Sequence, residues 1–374
     1  MRVLIVVTHL LGSGHLSRAL HLGRAFAVAG HEAHVVSGGF PVPHLDASGV
    51  TWHQLPALRA DGTDFSRLLD PSGEVASEGY HAERQDQLLA LLERVAPDVL
   101  ITELFPFGRR NLRREFLSLL EAAKGCAAPP RICASIRDIL APPSKPAKSA
   151  FAQDMVARYY DAVLVHSDPD LIPLDASWPV TDALAGVLRY TGFVAAPVPE
   201  GHGSEGAGDI LVSAGGGSVG QAVFDAAVDA AAHSPHRWRL LVGGHDRAAR
   251  ITDLTARASA NVVVEPVRPD YREMLRHAAA SVSLCGYNTA MDILQTGVPA
   301  LVVPFDDGRE VEQSLRAKAL ADRAGLHVLR AADLTGATLR NALDAVIAAG
   351  PCVGSGFRFE GAAETVRICE EMAQ

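Results

Sequence analysis

The chain has 374 residues, which at roughly 150 residues per domain suits two domains better than one. Apolar residues make up 48% and charged residues 21%, which excludes a disordered or collagen-like chain. Its 43 acidic against 34 basic residues give a net charge of −9, the wrong balance for a surface that coats nucleic acid.

Five scattered cysteines, Cys126, Cys133, Cys285, Cys352 and Cys369, form no CxxC pair and read as free thiols of a reducing compartment. The apolar run at residues 3–7 is too short for a signal-peptide core, and no run reaches the roughly 18 apolar residues needed to span a bilayer. The expectation is a cytoplasmic protein, with peripheral contact at the inner face of the membrane left open.

In chain order, residues 3–7 predict a strand, about 17–29 a helix and 33–37 a second strand. Further strands are expected at 50–55, 98–102, 131–136 and 162–166, with an amphipathic helix at 83–95. Continuous β-branched runs of this length suit strands buried on both faces, as in a parallel sheet. Residues 141–150, APPSKPAKSA, predict a mobile loop. Residues 195–208 are rich in proline, glycine and small polar residues and predict a linker. Strands then resume at 209–213, 239–242, 261–264, 281–284 and 300–303, and residues 359–372 have helical spacing. The pattern predicts an α/β protein of two Rossmann-like, doubly wound parallel-sheet domains.

Chemistry is expected where strands give way to glycine turns, because open α/β sheets bind ligands beyond the carboxyl ends of their strands. The first such turn holds Gly12, Ser13, Gly14 and His15. His15 there either meets a ligand near a helix start or merely caps the turn. Glu103 ends the strand expected at 98–102; it either orients the imidazole, as the acid of a dyad does, or is a solvated loop residue. In the second half, Gly215, Gly216, Gly217 and Ser218 follow a strand and precede a helix. Their free amides suit a phosphate or diphosphate.

Beyond Gly286, Asn288 or Thr289 can cap a helix, and Asp292 lies four residues past Asn288, where a carboxylate can accept from a ribose diol. Asp306, Asp307, Glu312 and Gln313 follow the next strand and can meet sugar hydroxyls or simply face solvent. Asp168-Pro169-Asp170 reads as a turn rather than a metal motif. Arg109, Arg110, Arg113 and Arg114 crowd a predicted helix start, either as contacts for an anionic acceptor or lipid headgroup or as an ion-paired surface.

The opening VLIVVTHLLGSGHLSRAL and the later CGYNTAMDILQTGVPALVVPF with EQSLRAKAL resemble the B-type-fold glycosyltransferases. Among them, the similarity is to the family of the N-acetylglucosaminyltransferase that forms lipid II. The resemblance covers both halves and is more specific in the C-terminal one. It implies two domains facing across a cleft: an acceptor-side domain over 1–194 completed by a helix within 359–374, a linker at 195–208, and a nucleotide-sugar domain over 209–358. It further implies that Gly215 to Ser218 hold the diphosphate of a UDP-sugar, Asp292 the ribose and Gln313 the donor sugar. The backbone around Val267 would read uracil. The family's first loop runs GxGGH, whereas this chain has Gly12-Ser13-Gly14-His15, and its lipid-acceptor loops have no clear counterpart.

The expected activity is metal-independent, inverting transfer of a hexose or N-acetylhexosamine from a UDP-sugar to a hydroxyl acceptor, without a cofactor. His15 would be the base, Glu103 its partner, and Gly12, Ser13, Gly14, Arg110 and Arg113 the acceptor side. A nucleotide-sugar hydrolase and a non-catalytic nucleotide-sugar sensor are the alternatives.

Overall fold

A computed structural model describes residues 1–43, 45–62, 64–198, 203–215, 219–244, 246–306, 311–352 and 356–374. It divides into two units, Met1–Ala195 with Arg358–Gln374, and Ala196–Phe357.

The first unit runs β1 (Arg2–Val7), α1 (Gly14–Val28), β2 (Glu32–Gly39), β3 (Thr51–Asp61), β4 (Asp64–Leu69), α2 (Glu78–Val95), β5 (Val99–Glu103), α3 (Arg113–Lys124), β6 (Arg131–Arg137), α4 (Pro146–Tyr159), β7 (Ala162–His166), α5 (Asp182–Ala185) and β8 (Leu188–Tyr190). Its eight strands are ordered β4-β3-β2-β1-β5-β6-β7-β8. All pair in parallel except the edge hairpin of β3 and β4. Helices cover both faces, so the central strands can be apolar throughout. Val3, Leu4, Ile5, Val6 and Val7 are all fully buried.

The second unit runs β9 (Ile210–Ser213), α6 (Gln221–Ala231), β10 (Trp238–Val242), α7 (Arg247–Arg257), β11 (Val262–Pro266), α8 (Tyr271–Leu275), β12 (Ala280–Ser283), α9 (Tyr287–Thr296), β13 (Ala300–Val302), α10 (Glu312–Ala324), β14 (His327–Val328) and α11 (Gly336–Ala349). Its six parallel strands are ordered β11-β10-β9-β12-β13-β14. The last helix, α12 (Gly361–Ala373), belongs to the first unit, where it buries Val366, Ile368 and Cys369 in the core that α1 shares. Both units are Rossmann-like. Among the described residues, no helix is long and apolar enough to cross a membrane.

Three expectations need correcting. The loop expected at 141–150 is helical from Pro146; proline is tolerated there because a first-turn amide has no partner to lose, and the helix buries Ala152, Met155 and Val156. The strand expected at 50–55 continues to Asp61. Part of the expected linker is packed structure: the Gly208 amide donates to the His277 carbonyl at 2.9 Å. Gly206 is buried with φ +74°, and a Cβ there would lie 3.0 Å from the Met274 methyl.

Candidate active site

In an open parallel sheet the ligand crevice forms where neighbouring strands send their connections to opposite faces. In the first unit β1 lies between β2 and β5, so the turn after β1 and the end of β5 meet at that point. The turn leads into α1 with Ser13 at the N-cap, making His15 the second residue of the helix. Gly12 is not demanded by backbone sterics, since a Cβ there would meet nothing within 4 Å; the turn borders open space.

Glu103 is the last residue of β5 and is buried, with only 1% of its side chain exposed. His15 Nδ1 lies 2.7 Å from its Oε1, and the imidazole keeps 16% of its surface open. An ionised carboxylate only accepts, so the proton of this hydrogen bond is on Nδ1. Nε2 is then the basic nitrogen, and among the described residues it has no protein partner. Arg18, one turn along α1 and also buried, donates through Nη2 to the same Oε1. Burial lowers His15 from 6.5 to about 3, against the opposing pull of Glu103, while Arg109 and Arg137 add to the lowering. Burial works to raise the Glu103 carboxyl, yet His15, through its charge when protonated and its hydrogen bond, and then the charges of Arg18 and Arg109 outweigh it and hold Glu103 below the usual carboxylate range. The pair at neutral pH is therefore neutral imidazole and carboxylate.

Behind it stands His166 at the end of β7, fully buried and far below its usual pKa because of that burial. Its Nε2 meets Ser135 Oγ at 2.8 Å and its Nδ1 meets Thr191 Oγ1 at 2.9 Å. The sequence reading missed Arg18, Arg137 and His166, and it placed Arg109 in the basic patch without its approach to His15. Only Arg18 had a local signal, lying three residues after His15 on the same helical face. Arg109 adopts a left-handed backbone, φ +55°, unusual for a residue with a Cβ. Of the expected acceptor-side arginines, Arg113 is exposed at the start of α3, and Arg110 is half-buried with its guanidinium donating to the Phe107 carbonyl at 2.7 Å. Asp168 is engaged by Arg358 at 3.0 and 3.2 Å, which ties the C-terminal segment to the first unit.

In the second unit the corresponding point lies between β9 and β12. Gly215, with φ +78°, opens the turn after β9, and its amide donates to Ser213 Oγ at 3.2 Å. Gly220, with φ +81°, closes it as N-cap of α6; a Cβ there would approach that of Ala214 to 2.6 Å. Gly216, Gly217 and Ser218 between them lie outside the described residues, as does Asp307. After β12, the N-cap of α9 is Gly286, not Asn288 or Thr289, which fall in the first helical turn. Glycine has no capping oxygen, so the N-cap residue itself offers the first turn of α9 no side-chain cap.

Asp292 faces α8. Arg272 Nε donates to its Oδ1 at 2.6 Å, and Arg272 also reaches Gln295 at 2.7 Å and the carbonyls of Ala196 and Pro197 at 3.1 and 2.7 Å. Burial raises the Asp292 carboxyl to about 6 although Arg272 pulls it down. Gln313 has a bracing role that the sequence did not suggest: its Oε1 accepts from the amides of Cys285 at 2.9 Å and Phe305 at 3.1 Å, joining the turns after β12 and β13. Arg316, one turn along α10, adds a bond to the Cys285 carbonyl at 2.9 Å. Glu312 beside them is buried. Val267 is partly exposed, and its amide donates to the Val242 carbonyl at 3.1 Å, so only its carbonyl remains to read a base. Asp306 is exposed.

Residues 211–351 match the glycosyltransferase family 28 C-terminal domain. This chain is a glycosyltransferase. No curated protein matches its sequence. Among solved structures, MurG of Acinetobacter baumannii is 15% identical, each chain covering 100% of the other, with a TM-score of 0.62. UGT2 of Phytolacca americana, complexed with UDP-2fluoro-glucose and pterostilbene, is 16% identical over 100% of both chains, with a TM-score of 0.64. The glycotransferase of kitacinnamycin is 19% identical, over 99% of this chain and 98% of that one, with a TM-score of 0.66. These likenesses establish the B-type fold for this glycosyltransferase.

Proposed function

We propose that this glycosyltransferase moves a hexosyl or N-acetylhexosaminyl group from a UDP-sugar to a hydroxyl acceptor, with inversion and without a metal ion. The observation that carries the reading is the His15–Glu103 contact at the strand ends of the first unit, with Nε2 left as base. The acceptor hydroxyl gives its proton to Nε2 as its oxygen bonds to the anomeric carbon. The bond from that carbon to the diphosphate breaks on the opposite side, and UDP leaves with the electron pair. Glu103 fixes the tautomer and stabilises the imidazolium as it forms.

On the second unit, the turn of Gly215, Gly216, Gly217 and Ser218 with the start of α6 receives the leaving diphosphate. Asp292 holds the ribose, the Val267 carbonyl meets the base, and Asn288, Thr289, Glu312 and Gln313 border the sugar. UGT2 with UDP-2fluoro-glucose and VinC with dTDP, the latter 17% identical with a TM-score of 0.58, support a nucleotide-linked donor. The acceptor side comprises Gly12, Ser13, Gly14, Arg110 and Arg113 and suits an anionic or lipid-linked acceptor, met by a cytoplasmic enzyme at the membrane surface.

A thermal-shift screen across UDP-, dTDP- and GDP-sugars tests the donor, because a ligand bound only by the native state raises its melting temperature. Stabilisation by UDP-sugars above the others is expected. Equal indifference to all three would overturn the donor reading.

A further inference from the structure

Two donors converge on one oxygen of a buried carboxylate: His15 Nδ1 and Arg18 Nη2 both meet Glu103 Oε1. Oε2, equally buried, has no hydrogen-bond partner among the described residues. The carboxylate thus stays ionised at 1% exposure with little help from hydrogen bonds beyond these two, and of the pair only Arg18 carries a full charge. We propose that Arg18 is a positioning residue for the reaction: its charge keeps Glu103 a pure acceptor and so locks His15 in the tautomer whose Nε2 can take a proton. The inference rests on the assignment of His15 as base.

The chain of cause is short. A buried carboxylate deprived of its cation takes up a proton, because desolvation disfavours the charged form. A protonated Glu103 donates to Nδ1 instead of accepting from it. The imidazole proton then resides on Nε2, and the ring presents a donor where a base is required. The charged and titratable groups facing the pair are Arg18 on α1, His9 after β1, Arg109 after β5, Arg137 at the end of β6 and His166 at the end of β7. Arg109 adds to the field on Glu103, but Arg18 is in contact with it.

Two variants separate charge from packing. Arg18→Lys keeps the cation, and Arg18→Gln keeps a neutral donor on a side chain two bonds shorter. Three readouts apply: the ¹⁵N shifts of His15, which report the tautomer directly, the pH profile of kcat/KM for UDP release from a UDP-sugar, and UDP affinity. The expected result for Arg18→Gln is an Nε2–H tautomer, a kcat lower by on the order of 10²-fold, an acid limb moved to higher pH, and unchanged UDP affinity. Arg18→Lys is expected to keep the parent tautomer and pH profile. A folded Arg18→Gln enzyme with the parent tautomer and profile would overturn the proposal, and so would a folded Arg18→Lys enzyme with the Nε2–H tautomer. His15→Ala, measured in parallel, keeps the two questions apart. If it is inactive while Arg18→Gln behaves as the parent, only the role of Arg18 fails; if His15→Ala is active, the base assignment fails.

Discussion

A histidine with one nitrogen committed to a carboxylate and its ring largely buried resists protonation. Since burial lowers His15 to about 3, its basic form persists on acidification below 6.5. The limb that His15 contributes to the kcat/KM profile is therefore expected well below pH 6, and a limb at or above 6.5 would show an imidazole in ordinary solvent. Asp292 behaves in the opposite sense. Its carboxyl is raised to about 6, so it gains a proton as pH falls through that value and loses its strength as an acceptor. UDP affinity by calorimetry is expected to drop between pH 7 and pH 5, and Asp292→Asn to bind weakly at both; charge-assisted bonds of about 1.5 to 3 kcal/mol are at stake. Flat affinity in parent and variant would remove Asp292 from the nucleotide site. The placement of His15 and Glu103 at neighbouring strand ends was legible because strand ends and glycine turns mark where a parallel sheet presents side chains, whereas the pairing of Asp292 with Arg272 was not. The approach of Arg109 and Arg137 to His15 was not legible either, since it depends on a left-handed turn and on the pairing of β5 with β6, neither written in local spacing.

Among the elements, the fully buried parallel strands were readable from their β-branched runs, whereas α4 was concealed because its proline marks a helix start as readily as a loop. The hairpin of β3 and β4 was missed because it is an antiparallel edge without the continuous apolar signature of the central strands. Helices α2 and α3 are joined by a fully buried bidentate pair, Arg84 to Glu115, both bonds 3.0 Å, and Arg84 also reaches the Gly38 carbonyl at 3.0 Å. Removing one partner strands the other charge in the core. Glu115→Ala is expected to lower unfolding free energy by about 3–5 kcal/mol in urea denaturation. A change below about 1 kcal/mol would mean that the guanidinium finds water or another acceptor.

For the whole molecule, the presence of two Rossmann-like units was visible in the doubled α/β alternation. The return of α12 to the first unit was suggested by the family resemblance rather than by any local pattern. The proposed chemistry draws the base from one unit and the donor contacts from the other, so each function should fail separately. Activity is expected to survive EDTA; loss restored by magnesium or manganese would contradict the metal-independent reading. The most direct measurement is kcat for UDP release by His15→Ala, taken beside its UDP affinity. The account predicts a loss on the order of 10²- to 10⁴-fold in kcat with UDP affinity unchanged. A variant within about threefold of the parent enzyme would contradict it, and the turn after β1 would then serve only to shape the backbone.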